Sequence, residues 1–404
     1  MEAAVPRRFV LPSPLLAASL LLGTICWAGI VTLTAGLISV QPPEAGFDLD
    51  LLLQAGRRVA EGLSPYDPAS LVTPLQARDL FYSYPPVVAQ LLSPISGLPT
   101  AAVLLLWGVA SVGGLILVTE ALRRRLAPGM SVLAALAPVL AAAPLVFPFS
   151  VALMFGNLDA WFPLVYGLLL LAALEAGTST RLAAGAGLGA AIVAKLHPAS
   201  LVVWLAVRGR HQRAMWAVLA ATVATGLALV LASLIVGGAG PWADYLTVVR
   251  AEAGAIILTP VNVGPAPQLA MLLGADEATA RILGVTVAVA AIALTAWAAE
   301  RVPDVVTSLA LAAAGSLVIL PITWYHYPLA LMPFAVAAYL RAAPEAAVLV
   351  RGLLGLAVLA SLLAILAPVA VWLAVALVVA AVIRTAPRVA VPPAAPVAHA
   401  AGAA

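Results

Sequence analysis

The sequence predicts an all-α polytopic membrane protein, and three observations carry that prediction. Of the 404 residues, 64% are hydrophobic and only 9% charged, whereas a soluble globular chain is about 45–50% apolar and about 25% charged. The apolar residues fall in runs close to the roughly 20 residues that a helix needs to cross a bilayer core about 30 Å thick. The basic residues, 19 Arg and one Lys, sit in short clusters between those runs. With a mean hydropathy of +1.11, such a chain cannot clothe a globule in solvated side chains. Soluble enzymes, disordered proteins and nucleic-acid binders are excluded together. The pI of 9.2 reflects a net charge of only +3, without a basic face.

Spans are expected near 10–36, 100–122, 130–154, 158–176, 214–236, 277–299, 305–320, 326–340, 349–366 and 369–383. Arg7 and Arg8 precede an apolar run from Phe9 to Val40. That run exceeds the 7–15-residue core of a signal peptide, so it reads as a retained anchor. The stretch 182–207 is interrupted by Lys195, His197 and Pro198, and each half is short for a crossing. If the N-terminus is cytoplasmic and 182–207 is a re-entrant hairpin, fourteen of the 19 arginines lie on the cytoplasmic side. Only Arg57, Arg58, Arg78, Arg250 and Arg281 fall outside. A single crossing would invert every later loop and export Arg208, Arg210 and Arg213, against the positive-inside rule. The expectation is therefore about 10–12 transmembrane or re-entrant helices in a multi-pass plasma-membrane protein.

This topology leaves two long external segments, about 41–99 and 237–276, with short inner loops. Eleven of the 17 acidic residues are external, six of them in 41–99. Chemistry is expected on that face. Residues 1–385 form one membrane domain without visible repeats, and the Pro/Ala-rich tail 386–404 is expected to be disordered. Cys26 is the only cysteine, which excludes an internal disulfide, and no Cys/His cluster has metal-ligand spacing.

Five segments could carry chemistry. In the first external segment, Leu49, Leu52, Leu53, Val59 and Leu63 recur at helical spacing around Arg57, Arg58 and Glu61. They predict an interfacial amphipathic helix ended by Gly62 and Pro65. Asp48 and Asp50 stand at its start, either capping the helix or offering a carboxylate that takes a proton from a hydroxyl. Phe81-Tyr82-Ser83-Tyr84-Pro85-Pro86 reads as interfacial anchors or as a substrate lining. Phe155-Gly156-Asn157-Leu158-Asp159 is a tight turn capped by Asn157 or the polar rim of a cavity. Lys195-Leu196-His197-Pro198 holds the only lysine at the apex of the hairpin. An intramembrane charge costs at least about 2.5–3.5 kcal/mol, so Lys195 either faces a polar cavity and an anion such as a lipid phosphate or snorkels to the interface. Pro321-Ile322-Thr323-Trp324-Tyr325-His326-Tyr327-Pro328 puts His326 on the face of Asp48, as a packed residue or as a catalyst. In the second external segment, Trp242 and Tyr245 read as belt residues and Asn262 as an isolated polar point.

The chain has no GxSxG elbow, HExxH, P-loop or dinucleotide fingerprint. Taken in order, its segments resemble the polyprenyl-phosphate-sugar-dependent glycosyltransferases of family 87, which have the GT-C fold and include a mannosyltransferase acting on phosphatidylinositol mannosides. The resemblance covers roughly 10–340. It rests on Asp48, Ala55, Gly62 and Pro65-Tyr66-Asp67; Phe81 and Tyr84-Pro85-Pro86; Gly156-Asn157; Lys195 and Pro198; Asn262; and Pro321-Ile322-Thr323-Trp324 with His326. It departs from the family pattern at Tyr325, where an acid is usual, at Tyr327, where a second histidine is, and at Leu52, where a tyrosine is.

The resemblance implies a GT-C-like bundle in which a lipid-linked sugar, mannose foremost, meets an acceptor hydroxyl of a lipid or glycan on the extracytoplasmic face. Asp48 would be the general base, with Asp50 as the alternative, and His326 would contact the donor phosphate or assist the base. Tyr84, Asn157, Lys195, His197, Asn262 and Trp324 would bind substrate. Polyprenyl phosphate is already a good leaving group, so no metal or other cofactor is expected, and the lipid-linked sugar is itself a substrate. Inversion at the anomeric centre is likewise implied by the family. The alternative is a lipid or solute transporter or flippase, which would place acids and broken helices near the midplane of paired repeats. A structural scaffold fits poorly with an isolated Lys195.

Overall fold

The computed structural model describes residues 13–40, 44–72, 81–174 and 177–387. The tail expected from residue 386 falls almost wholly outside the described residues, as do Arg7, Arg8, Arg78 and Arg388. Among the described residues every element is helical. The protein is an all-α polytopic membrane protein.

Helix α1 (Ser13–Ser39) is apolar throughout. A turn through Gly46, at φ 75°, starts α2 (Phe47–Ala60), and α3 (Pro68–Val72) and α4 (Pro86–Leu92) follow. Helix α5 (Thr100–Leu126) ends on Arg123, Arg124 and Arg125. The next span is broken: α6 (Val132–Ala142) and α7 (Phe147–Phe155) meet at 72°. Pro144 and Pro148 fall in and just after that break, where each removes a backbone donor. Helix α8 (Phe162–Ala173) follows a 3₁₀ turn over Leu158–Trp161. Then come α9 (Thr178–Lys195), a 3₁₀ turn over His197–Ser200, α10 (Leu201–Arg208) and α11 (Ala214–Gly237). The segment expected to be the second external one folds into α12 (Gly240–Ile256) and α13 (Pro265–Leu272). The chain closes with α14 (Glu277–Arg301), α15 (Val305–Ser316), α16 (Met332–Arg341), α17 (Pro344–Leu363) and α18 (Ala370–Arg384).

Among the described residues, α1, α5, α11, α14 and α17 are long and apolar enough to cross a bilayer, and the bent α6–α7 pair makes a sixth. The runs expected as spans at 158–176, 305–320, 326–340 and 369–383 form shorter helices of 12, 12, 10 and 15 residues. Prolines explain part of the shortening: Pro163 opens α8, and Pro328 turns the chain into a 3₁₀ stretch before α16. Most residues of α8 and α15 are buried by protein, as suits helices too short to face lipid along a full crossing.

The 182–207 stretch turns back on itself. Gln212, just past α10, donates to the carbonyl of Ala173 at the end of α8 (2.9 Å), close to where α9 begins. Both ends of the α9–α10 segment therefore lie at one end of the bundle. Helix α9, at 18 residues, rises about 27 Å to Lys195 at the other. It packs chiefly on α11 and α8. A Cβ on Gly185 would meet the Val218 carbonyl at 2.5 Å, and one on Gly189 the Thr222 carbonyl at 2.5 Å. This is the small-xxx-small contact by which membrane helices approach closely.

The arginine-rich end is tied together by backbone acceptors and acids. Arg125 donates to Leu174, Arg208 to Ala299, Val302 and Pro303, and Arg341 pairs with Asp304 at 2.9 Å. Asp304 also caps α15 through Thr307. The opposite end carries the segments singled out as chemical.

Candidate active site

Helix α2 sets the first carboxylate. Leu49, Leu52, Leu53 and Ala55 are buried against Tyr66, Tyr82, Val88, Leu104 and Val248. Leu63, expected on the same stripe, is exposed, because the helix ends at Ala60 and the chain turns through Gly62 at φ 76°. The cap position of α2 is Gly46, with no side-chain cap. Asp48 accordingly reaches sideways, and Asn157 Nδ2 donates to its Oδ2 at 2.6 Å.

The approach of α2 to this turn depends on Gly156. It takes φ 70°, and a Cβ there would lie 2.5 Å from the Leu49 Cβ. Both the backbone conformation and the space exclude a side chain. Asn157 follows with its Oδ1 capping Asp159 N (2.9 Å) while accepting from Lys195 Nζ (3.2 Å).

Lys195 ends α9 and pairs with Asp159 Oδ1 at 2.8 Å. It also lies 3.3 Å from His326 Nε2, which is 3.2 Å from Asp159 Oδ2. An ammonium only donates and a carboxylate only accepts. His326 therefore carries its proton on Nε2 when it faces Asp159, and on Nδ1 when it accepts from Lys195. The ammonium also lies over the rings of Tyr327 (5.0 Å) and Tyr84 (5.7 Å), within cation–π reach. The residue after it, Leu196, holds φ 25°, a strained value for a side-chain-bearing residue and of a kind that clusters at functional sites.

Asp159, Asn157, His197 and His326 form a buried floor. Asp48, Ser83, Tyr84, Lys195, Glu252, Trp324 and Tyr325 stand half-buried around it. Burial pushes the Asp48 carboxyl above its ordinary value, against the Asn157 hydrogen bond and the Lys195 charge, which pull it down. Burial raises Glu252 to about 7, although the Lys195 charge and the neighbouring Ser83 hydroxyl oppose the rise.

Of the residues singled out from sequence, Asp48, Tyr84, Asn157, Lys195 and His326 come together. Trp324 stacks parallel to His326 with ring centroids 6.3 Å apart. His197 lies beneath, stacked on Tyr327 at 4.4 Å, with neither ring nitrogen hydrogen-bonded among the described residues. Asp50 points elsewhere, held by Gln54, Thr100 and Arg57. Asn262 is a brace: its Oδ1 accepts from Gly264 and Thr323, and its Nδ2 donates to Ile257 and Pro321. The carboxamide ties the α12–α13 connection to the loop that carries His326.

Tyr66 and Tyr82 are braces as well. The Tyr66 hydroxyl donates to the Tyr84 carbonyl (2.7 Å) and that of Tyr82 to Pro85 (2.8 Å). Tyr245, expected in an interfacial belt, is buried against Tyr66 and Trp242.

Two acids escaped the sequence reading. Asp159 was visible two residues beyond Asn157, but its segment read as a tight turn or a cavity rim, with no role given to the acid itself. Glu252 lay in a stretch read as loop; its spacing after Tyr245 and Val248 was the available signal. Among the described residues no group of three or more His, Cys, Asp or Glu could hold a metal ion. An apolar cavity of about 390 Å³ lies apart from this chemistry, between α1, α6, α16, α17 and α18, and Arg351 is the one charged residue in its lining.

Fold and site together define a polytopic helical membrane protein with an acid, an amide, a lysine and a histidine gathered at the end opposite most of its arginines. The model of glycosyltransferase family 87 matches residues 82–322, more than half of the chain, and the protein belongs to that family. It is an integral-membrane glycosyltransferase, which sets the transporter alternative aside. The matched stretch contains Tyr84, Asn157, Asp159, Lys195, Glu252 and Asn262; Asp48 precedes it and Trp324 and His326 follow. No curated protein matches the chain.

Proposed function

We propose that the protein moves a sugar, mannose foremost, from a polyprenyl-phosphate donor to a hydroxyl of a lipid or glycan acceptor. The reaction runs on the extracytoplasmic face of the plasma membrane. The observation that carries this is the meeting of Asp48 and Lys195 on the two ends of one carboxamide, Asn157. A base for the acceptor and a cation for the departing phosphate thus stand a side chain apart. The orientation rests on the arginine clusters, which favour the cytoplasmic side.

In this reaction Asp48 takes the acceptor proton as the acceptor oxygen bonds to the anomeric carbon. The bond from that carbon to the phosphate oxygen breaks, and its electron pair leaves on the phosphate. Lys195 and His326 stabilise that growing charge. A buried floor strengthens such stabilisation, because the donors are already aimed where charge appears. Asp159 pairs with Lys195 and holds it in place, and Asn157 orients Asp48. Attack from the Asp48 side, opposite the phosphate, inverts the anomeric centre.

Purified protein incubated with a panel of polyprenyl-phosphate sugars, with products read by mass, tests the proposal. Transfer from one of them, lost in Asp48→Asn, is the expected result. Transfer only from nucleotide sugars would overturn it.

A further inference from the structure

Helix α12 presents Tyr245, Val248, Glu252 and Ile256 at spacings of three and four, so they share one face. Tyr245, Val248 and Ile256 are buried, and Tyr245 and Val248 belong to the core that seats α2. Glu252 is therefore the one acid that this inward face delivers to the site. It lies beside Ser83, the residue before Tyr84, which favours its ionised form. Its charge is felt by Lys195, Tyr84, Tyr245 and Tyr327, which are the titratable groups facing it from α9, α12, the 81–85 segment and the His326 loop. The mechanism above assigns it nothing.

A carboxyl and a hydroxyl beside the half-buried ring of Tyr84 have the chemistry of a carbohydrate subsite: an aromatic face for the C–H side of a pyranose, and a few fixed polar groups for its hydroxyls. We infer that Glu252 and Ser83 form a hydroxyl-reading wall of the active site, binding hydroxyls of the sugar being moved. The assignment rests on the glycosyl-transfer reading of the same site. A site built to hydrogen-bond a substrate hydroxyl rejects analogues that lack it far more strongly than an apolar pocket can. The wall therefore sets which sugar is accepted, while Asp48 and Lys195 carry the transfer. A carboxyl that burial raises to about 7 can accept from one hydroxyl or donate to another.

The test compares two probes, a mannosyl polyprenyl phosphate and the same polyprenyl phosphate without sugar, on the full-length protein in detergent. The ratio of their affinities cancels any general effect of removing a negative charge near Lys195. Glu252→Gln is expected to weaken the sugar-bearing probe at least tenfold relative to the bare phosphate, and Ser83→Ala about threefold. An unchanged ratio with an acceptor KM raised tenfold would place these groups on the acceptor and overturn the assignment to the sugar being moved. If neither the ratio nor the acceptor KM moves in either variant, or if Glu252→Gln weakens both probes equally, the wall is overturned. Failure of the underlying reading looks different: wild-type protein would then bind neither probe, or Asp48→Asn would transfer normally.

Discussion

Asp48 and Lys195 are joined through a single side chain. Asn157 donates to the Asp48 carboxylate at 2.6 Å and accepts from the Lys195 ammonium at 3.2 Å. Base and cation are thus held in a fixed relation by the first turn after α7, and each end of that amide can be tested separately.

The carboxylate end governs pH dependence. Asp48 must be ionised to act as a base, and burial raises it above the usual range. Activity should therefore fall as pH drops through a midpoint above the ordinary aspartate value of about 3.9. The Asn157 hydrogen bond favours the ionised form, so Asn157→Ala should move that acid limb to still higher pH. A profile of kcat/KM against pH for both proteins measures this, and a limb that stays put would remove Asn157 from the role.

Asp48 and Asp50 should separate cleanly. Asp48→Asn is expected to lower kcat by about 10²–10⁴-fold, the usual worth of a general base, with membrane expression unchanged. Asp50→Ala removes only contacts to Gln54, Thr100 and Arg57 and should keep most activity. Equal losses in the two variants would move the base assignment away from Asp48.

The ammonium end depends on Asp159, which is fully buried and 2.8 Å from Lys195. Removing one member of a buried pair strands the other charge and costs about 3–5 kcal/mol. Asp159→Asn should lower both thermal stability and turnover. The double variant Asp159→Asn with Lys195→Met should recover stability but not transfer. Recovery of both would mean that the pair is structural only.

Close packing of α9 on α11 sets the height of Lys195. Gly189→Val would drive side-chain atoms into the Thr222 carbonyl, which already lies 2.5 Å from where a Cβ would sit. The expected result is a lower melting temperature and weaker binding of a polyprenyl phosphate. Gly187 faces open space apart from Val165 at 3.9 Å, so Gly187→Ala serves as the control and should behave as wild type.

Lys195 was legible before any fold was known, because an ionisable group in an apolar run must find a partner. Its partner was not, since Asp159 looks like an ordinary turn acid beside a capping asparagine. The hairpin was legible from arginine placement, while the stretch 130–154 was read as one span without placing the 72° break between α6 and α7. Asn262 stood out for its polarity, and tertiary contacts made it a brace instead of a lining residue. Glu252 was hidden because the stretch around it was taken for loop, although Tyr245, Val248 and Glu252 are spaced to share a helix face.

By itself the sequence determined the solvent this protein lives in. A chain with 9% charged residues and mean hydropathy +1.11 has only the bilayer in which to fold, and backbone hydrogen bonding there favours helices. The sequence also marked which polar residues are too costly to be idle. Only the tertiary structure decided which of them meet. Asp48, Asn157, Asp159, Lys195 and His326 come from distant parts of the chain, and no local periodicity encodes their convergence. It is set by how α2, α9 and the His326 loop pack, through contacts as specific as Leu49 against Gly156. Such packing depends on shape, which composition does not record.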